Sequence, residues 1–263
     1  MIIIDNKPVE EAFLAADYPE QSVGRSVVEI LSASEKKYDY KSLDELKFEV
    51  RLREQIIRAA KQLQKSNMAF EVFRESRCNP EYWIRRDNGG FLLKAGVKMS
   101  DAVQDIFDNG SKYGTECATA MQIVYLKALL DIFPEDAFNR MFKNVYLMNW
   151  HSLHRYLRDT GAMTRRGDYL PGDRRYFVNP DVNPETPEWQ GENTIDLGGG
   201  LYYGHGMGTH KADKIIRELN ANRKDGAARD AHLIQTSARP DFKRLFALYE
   251  DALQNAAADQ QTA

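Results

Sequence analysis

Tyr113-Gly114-Thr115-Glu116-Cys117-Ala118-Thr119-Ala120 is the stretch on which the reading of this chain turns. Upstream, Asn109-Gly110 stops a short helix. Downstream, Met121, Ile123, Val124, Leu126, Leu129, Leu130 and Ile132 cover nearly every face of a helix expected from about Glu116 to Phe133. A helix that is apolar all round belongs at the centre of a core. Its first turn carries a cysteine, where the positive end of the helix dipole favours the thiolate, the form that attacks carbonyl carbon. The bland alternative is a small buried hydrophobe. The neighbouring Gly114 and Glu116 shift the balance toward a nucleophile.

Outward from this helix, Ser42-Leu43-Asp44-Glu45 fits a capping box and opens an amphipathic helix that ends near Ser66. Phe70 and Phe73 are expected on the next short helix. Asp87-Asn88-Gly89-Gly90 is a hairpin signal, because Asn-Gly supplies positive φ. Ser100 is expected to cap a helix through Phe107. Glu135 to Phe142 reads as a helix and Val145 to Trp150 as a strand. Residues 151–172 read as a long surface loop, and loops of that length are often functional. Strands are expected at Arg175–Asn179, Thr194–Leu197, Leu201–His205 and His232–Thr236, with helices at Lys211–Asn222 and Asp241–Asn255. The first 40 residues suggest a short strand, loops and one short helix, and the polar tail from Ala256 should fray. Helices followed by clustered antiparallel strands give an α+β class with one domain over residues 1–255.

Composition narrows the chemistry. The 263 residues, 43% of them hydrophobic, can bury a core without disulfides. A net charge of −3 gives no reason to expect nucleic acid. No run of about 18 or more apolar residues suggests a membrane span, and the start lacks the basic region of a signal peptide. The two cysteines, Cys78 and Cys117, form no disulfide framework or thiolate zinc site and fit a reducing cytosol. His151-Ser152-Leu153-His154 has no third ligand placed near it. Arg166-Gly167-Asp168 reads as a solvated loop, and Gly204-His205-Gly206-Met207-Gly208 lacks the spacing of a dinucleotide fingerprint. Neither metal nor cofactor is implied.

Candidate partners for the thiol lie far along the chain. Glu192, in Trp189-Gln190-Gly191-Glu192-Asn193, and His205 are separated by thirteen positions, with Gly198-Gly199-Gly200 midway. A two-residue turn puts Glu192 and His205 on one face of a hairpin, either directly opposite or diagonal. A three-residue loop puts them on opposite faces, because strand periodicity is two. Thiol, carboxylate and imidazole together are the parts of an acyl-transfer nucleophile.

The segments 113–120, Asn149-Trp150-His151, Gly172-Asp173 with Tyr176-Phe177 and Asn179-Pro180, 189–193, and His205-Gly206-Met207-Gly208 resemble the bacillary spore protein-glutamine γ-glutamyltransferases, the small calcium-independent bacterial transglutaminases. The resemblance covers roughly residues 38 to 250 and is weak over the first 37. It implies a core like that of papain-like and cell-wall cysteine peptidases. It implies Cys117 as nucleophile with Glu192 and His205 as partners, and an aromatic tunnel lined by Trp150, Tyr176, Trp189 and, less securely aligned, Phe70. Glutamine and lysine side chains of spore-coat proteins would be the substrates, the enzyme being made in the mother-cell cytoplasm and acting at the spore surface. The 151–172 loop departs from the family's pattern, which leaves one tunnel mouth open. Either His205 or Glu192 can serve as the acid/base group. Glu116 is a possible auxiliary whose bland role is to complement the helix dipole. The backbone N–H of Cys117 is an available oxyanion donor. A cysteine amidohydrolase and a non-catalytic coat protein are the competing readings.

Overall fold

The computed structural model describes residues 1–261. The N-terminal segment is more regular than its sequence suggests. Strands β1 (Ile2–Ile4) and β2 (Lys7–Pro8), helices α1 (Glu11–Ala15) and α2 (Val23–Ala33), and strand β3 (Tyr38–Tyr40) form a small layer. In it β1 pairs parallel with β3 and antiparallel with β2. Val27, Val28, Leu31 and Ile2 are fully buried between this layer and the helix that follows, α3 (Leu43–Lys65).

Helix α3 begins where the capping residues place it. Ser42 Oγ accepts the Glu45 N–H at 3.1 Å. Glu45 reaches back to the N–H of Lys41, one residue before the cap residue of a capping box, at 2.5 Å. Phe70 does not lie on a helix. It ends a two-residue strand, β4 (Ala69–Phe70), while β5 (Trp83–Arg85) and β6 (Phe91–Leu93) form the hairpin around Asn88-Gly89. Helix α4 (Met99–Asp108) starts one residue before Ser100, so Ser100 is no cap; its N–H bonds the Asn139 side chain at 2.9 Å instead. Strand β7 (Gly114–Thr115) pairs parallel with β4 and leads directly into α5 (Cys117–Leu130).

Helix α5 is buried on all sides, as its sequence requires. Ala120, Met121, Ile123, Val124 and Leu129 have 1% exposure or less. It packs against α3, α4 and the sheet described below. Helix α6 (Glu135–Met141) and strand β8 (Tyr146–Leu147) follow, the strand shorter than the expected 145–150. The 151–172 loop is not purely a surface feature. Leu157, Thr160 and Leu170 are buried, and Thr164 bridges to Ser237.

The central sheet is antiparallel, in the order β12-β11-β10-β9-β13. Its strands are β9 (Arg174–Val178), β10 (Gly191–Gly198), β11 (Leu201–Gly204), β12 (Gly208–Lys211) and β13 (His232–Leu233). β12 was not expected from the sequence. Asn193, Ile195, Leu197 and Tyr203 share one parity, and the apolar members of this set pack with α5. Phe177 and Tyr202 lie on the other face under α7 (Ala212–Asn220). The final helix, α8 (Phe242–Gln261), runs past Ala256, where the sequence was read as fraying; residues 262 and 263 lie outside the described residues. The architecture is α+β.

The glycine turn resolves the register question. Gly198 pairs with Leu201, but a bulge at Leu197 then shifts the ladder, so that Asp196 faces Tyr202 and Thr194 faces Gly204. Continuing that register would bring Asn193, not Glu192, across from His205. Glu192 therefore has the opposite parity to His205, the outcome of a three-residue loop.

Candidate active site

Strand β7 delivers Cys117 to the first position of α5. That helix start is occupied by its own cap. The Glu116 carboxylate accepts the N–H groups of Ala118 at 2.5 Å and Thr119 at 2.8 Å, and the Thr119 hydroxyl at 2.5 Å. Thr119 Oγ1 in turn accepts the Asn149 N–H at 2.8 Å, and Gln122 donates to the Asn149 carbonyl. Asn149 has a φ of +30°, a region that asparagine tolerates better than most residues. These bonds pin the Asn149-Trp150 turn onto the cysteine helix.

The thiol does not carry the expected bias toward its anion. Burial, then the carboxylates of Glu192 and Glu116, push the Cys117 pKa well up, and hydrogen bonds from Asn193 only partly oppose this. The dipole argument fails because the Glu116 carboxylate already sits on the helix end and is itself an anion. Solvent still reaches part of Cys117, as it does Trp150, Tyr176 and Phe70.

Cys117 meets β10 at Asn193, next to Glu192 and just beyond the Thr194–Gly204 pair that ends the β10–β11 ladder. Asn193 Nδ2 donates to Cys117 Sγ at 3.3 Å. Glu192, 6% exposed, lies over Gly204, where an added Cβ would stand 2.8 Å from its Oε1. It accepts the backbone N–H of His205, and Oε1 has no hydrogen-bond partner. Burial first, and then the Glu116 charge, raise the Glu192 pKa well above the ordinary carboxylate range. A carboxyl with one bare oxygen in such a place is held in its neutral form.

His205 sits close by but is engaged elsewhere. Its Nε2 is 3.0 Å from the Ala69 carbonyl, so the proton belongs on Nε2, and Nδ1 then accepts the Tyr203 hydroxyl at 3.3 Å. Burial lowers its pKa to about 4, so the ring is neutral at pH 7 rather than poised near neutrality. The glycines on either side have separate reasons. Gly204 leaves room for the Glu192 carboxyl. Gly206, at φ +93°, lets the turn press onto Phe70, where a Cβ would lie 2.8 Å from the ring's own Cβ.

The aromatic residues divide. The Phe70 ring lies 6.3 Å from that of His205. The Tyr176 hydroxyl lies over Gly191, and burial together with the charges of Cys117 and Glu192 pushes its pKa up to about 12. Trp150 packs under the Arg174 guanidinium at 4.1 Å. Trp189 packs instead with Phe177, Tyr202 and the rest of the cluster beneath α7. Two residues given no role in the sequence reading, Asn193 and Arg174, prove central. Their signals were present: Asn193 is adjacent to Glu192 on a strand, and Arg174-Arg175 open a strand whose other residues are aromatic and apolar. Among the described residues no three His, Cys, Asp or Glu side chains gather as a metal-binding group, and no helix is long and apolar enough to cross a membrane.

A family model described as protein-glutamine gamma-glutamyltransferase matches residues 1–249. The chain belongs to this family. The match takes in the first 37 residues, beyond the span that the sequence motifs marked. A protein-glutamine gamma-glutamyltransferase of Bacillus cereus (strain B4264) is 41% identical over 244 residues, covering 92% of this chain and 87% of its own. A Bacillus anthracis (strain CDC 684 / NRRL 3495) relative of the same name is also 41% identical over the same shares. Among solved structures, the transglutaminase from Geobacillus stearothermophilus without its C-terminal extension superposes with a TM-score of 0.73 at 44% identity, covering 79% of this chain and 98% of that one.

Proposed function

We propose that this chain joins glutamine and lysine side chains of proteins through ε-(γ-glutamyl)lysine isopeptide bonds, with Cys117 as nucleophile and Glu192 as the acid/base group. The observation that supports this reading is that Asn193 on β10 bonds the thiol while the adjoining residue, Glu192, is a buried carboxyl with one bare oxygen. In the ionised fraction of Glu192, the carboxylate takes the thiol proton as sulfur forms a bond to the γ-carboxamide carbon. The oxyanion that forms is met by the Cys117 N–H, which as the first helical donor has no intrahelical acceptor. Collapse breaks the C–N bond, Glu192 returns its proton to the nitrogen, ammonia leaves, and a thioester remains. A lysine amine then attacks the thioester carbon while Glu192 accepts its proton. The C–S bond breaks, the thiol recovers a proton from Glu192, and the isopeptide is released.

His205 supports the geometry rather than carrying protons in this scheme. Its ring ties β4 to the β11 end, and its backbone N–H holds Glu192. In this reading Phe70, Tyr176 and Trp150 wall the approach to the thiol and limit the access of water, which turns the thioester to glutamate, and Trp189, packed beneath α7, extends that wall toward the α7 face. The proposed setting is spore-coat crosslinking without calcium, on the strength of the resemblance. Incubation of the purified protein with casein and a labelled primary amine, in excess EDTA and EGTA, tests the reading. Amine incorporation is expected. Release of ammonia without incorporation points to an amidohydrolase and overturns it.

A further inference from the structure

The reactive centre contains a buried cation that the scheme above does not use. Arg174 on β9 is 2% exposed. Its Nη1 donates to Asn193 Oδ1 at 2.6 Å, its Nε to the Thr160 carbonyl at 3.0 Å and its Nη2 to the Gly161 carbonyl at 3.3 Å, while its face covers the Trp150 ring. Each of these partners is neutral. Buried arginines ordinarily sit against carboxylates, as Arg53 does against Glu49 and Asp173. Burial accordingly lowers the Arg174 pKa, and the groups whose negative charge would favour its cation are Tyr125, Cys117 and Tyr176. Of these a thiol is intrinsically the most acidic.

Asn193 connects the two. Its oxygen faces the guanidinium and its Nδ2 faces Cys117 Sγ. An amide whose oxygen accepts from a cation is polarised into a better donor at nitrogen. We propose that Arg174 is a positioning residue that acts through the Asn193 carboxamide to favour the Cys117 thiolate, and that the 151–172 loop, by holding the guanidinium at Thr160 and Gly161, sets how reactive the nucleophile is. The proposal rests on Cys117 being the nucleophile. The groups working against it are the carboxyls of Glu116 at the α5 cap and Glu192 on β10; the Tyr176 phenol on β9 and His205, both held neutral, add no charge.

Iodoacetamide alkylation of Cys117 against pH, in a Cys78→Ala background, reports the thiolate without requiring acyl transfer. Arg174→Met keeps an apolar stem against Trp150 and removes the charge. Its alkylation midpoint should move to higher pH and its rate at pH 8 should fall by about tenfold, the size of one pKa unit. Asn193→Ala should fall similarly, and the double variant no further than the larger single loss, because the two act in series. Arg174→Lys keeps a charge without the fork and should lie between. An unshifted midpoint in Arg174→Met that retains native circular dichroism and melting overturns the proposal, as do additive losses in the double variant. If Arg174→Met does not fold, Asn193→Ala carries the test, since it leaves the Thr160, Gly161 and Trp150 contacts in place; an unshifted midpoint there is equally fatal. The expected shifts in a protein that incorporates no amine support this proposal while overturning the transferase reading.

Discussion

Asp173, just before β9, and Glu192, near the start of the adjoining β10, are both buried carboxyls, yet their surroundings differ sharply. Asp173 receives Arg53 at 2.9 Å, Arg239 at 2.5 Å and the Leu170 N–H at 3.1 Å. Burial pushes its pKa up, but the two guanidiniums outweigh that and hold it below the usual carboxylate value. Glu192 has a single backbone donor and an oxygen with none, and its pKa goes the other way. A carboxyl clamped between cations is a fixed charge that locks strands to helices. A carboxyl left bare at the same depth keeps its proton to higher pH, which brings it within reach of acid/base work near neutrality.

The strongest way to break this contrast is at the reactive half itself. Cys117→Ala should abolish amine incorporation and leave melting nearly unchanged, whereas Cys78→Ala should do little. Residual casein polymerisation by the Cys117 variant would remove the basis of the proposed chemistry. On the clamped half, Asp173→Ala removes the carboxylate that Arg53 and Arg239 share, leaving Arg53 with Glu49 alone, and should cost about 3–5 kcal/mol, read by urea denaturation. A loss below about 1 kcal/mol would mean that the cluster is not the lock described.

Glu192→Gln should show the reverse pattern, with turnover reduced by about 10² or more and stability retained. The pH dependence sharpens the point. The folded state keeps the Glu192 proton at pH values where the unfolded chain, with a carboxylate near 4.5, has released it. Stability therefore declines as pH rises from about that value through the raised folded pKa, and Glu192→Gln should remove this decline. The acid limb of the wild-type kcat/KM profile should also lie well above 4.5 and vanish in the variant. Identical stability–pH curves for the two proteins would show that folding does not raise the Glu192 pKa.

The smallest expected effect is at Glu116. Loss of the cap in Glu116→Ala should cost roughly 1 kcal/mol of stability and less activity than Glu192→Gln. A larger activity loss than at Glu192 would move the acid/base role to the cap residue.

What was legible in the sequence was local. The all-round apolarity of α5, the Ser42 cap and the Asn-Gly hairpin depend on neighbours a few residues away. The thiol's environment does not. The sequence offered Glu116 as a complement to the helix end, but nothing in it showed that its carboxylate, holding the Ala118 and Thr119 N–H groups, would work against the thiolate. The glycine triplet permitted several registers, and the bulge that chose among them leaves Leu197 buried in the core shared with α5, a contact with residues distant in sequence. Phe70 was misplaced on a helix because β4 exists only through two-residue pairing with β7. The motif residues were identified, but the sequence did not show that Asn193, next to the expected carboxylate, is the side chain that touches sulfur.

The parallel ladder between β4 and β7, with the His205 ring bonded to Ala69, has a consequence for how the protein is born. Cys117 leaves the ribosome long before Arg174, Glu192, Asn193 and His205. Until β9 to β11 have been synthesised and have docked on α5, the cell holds only an ordinary cysteine on an apolar helix. Joining distant chain segments at one point makes the candidate site one of the last features of the fold to mature.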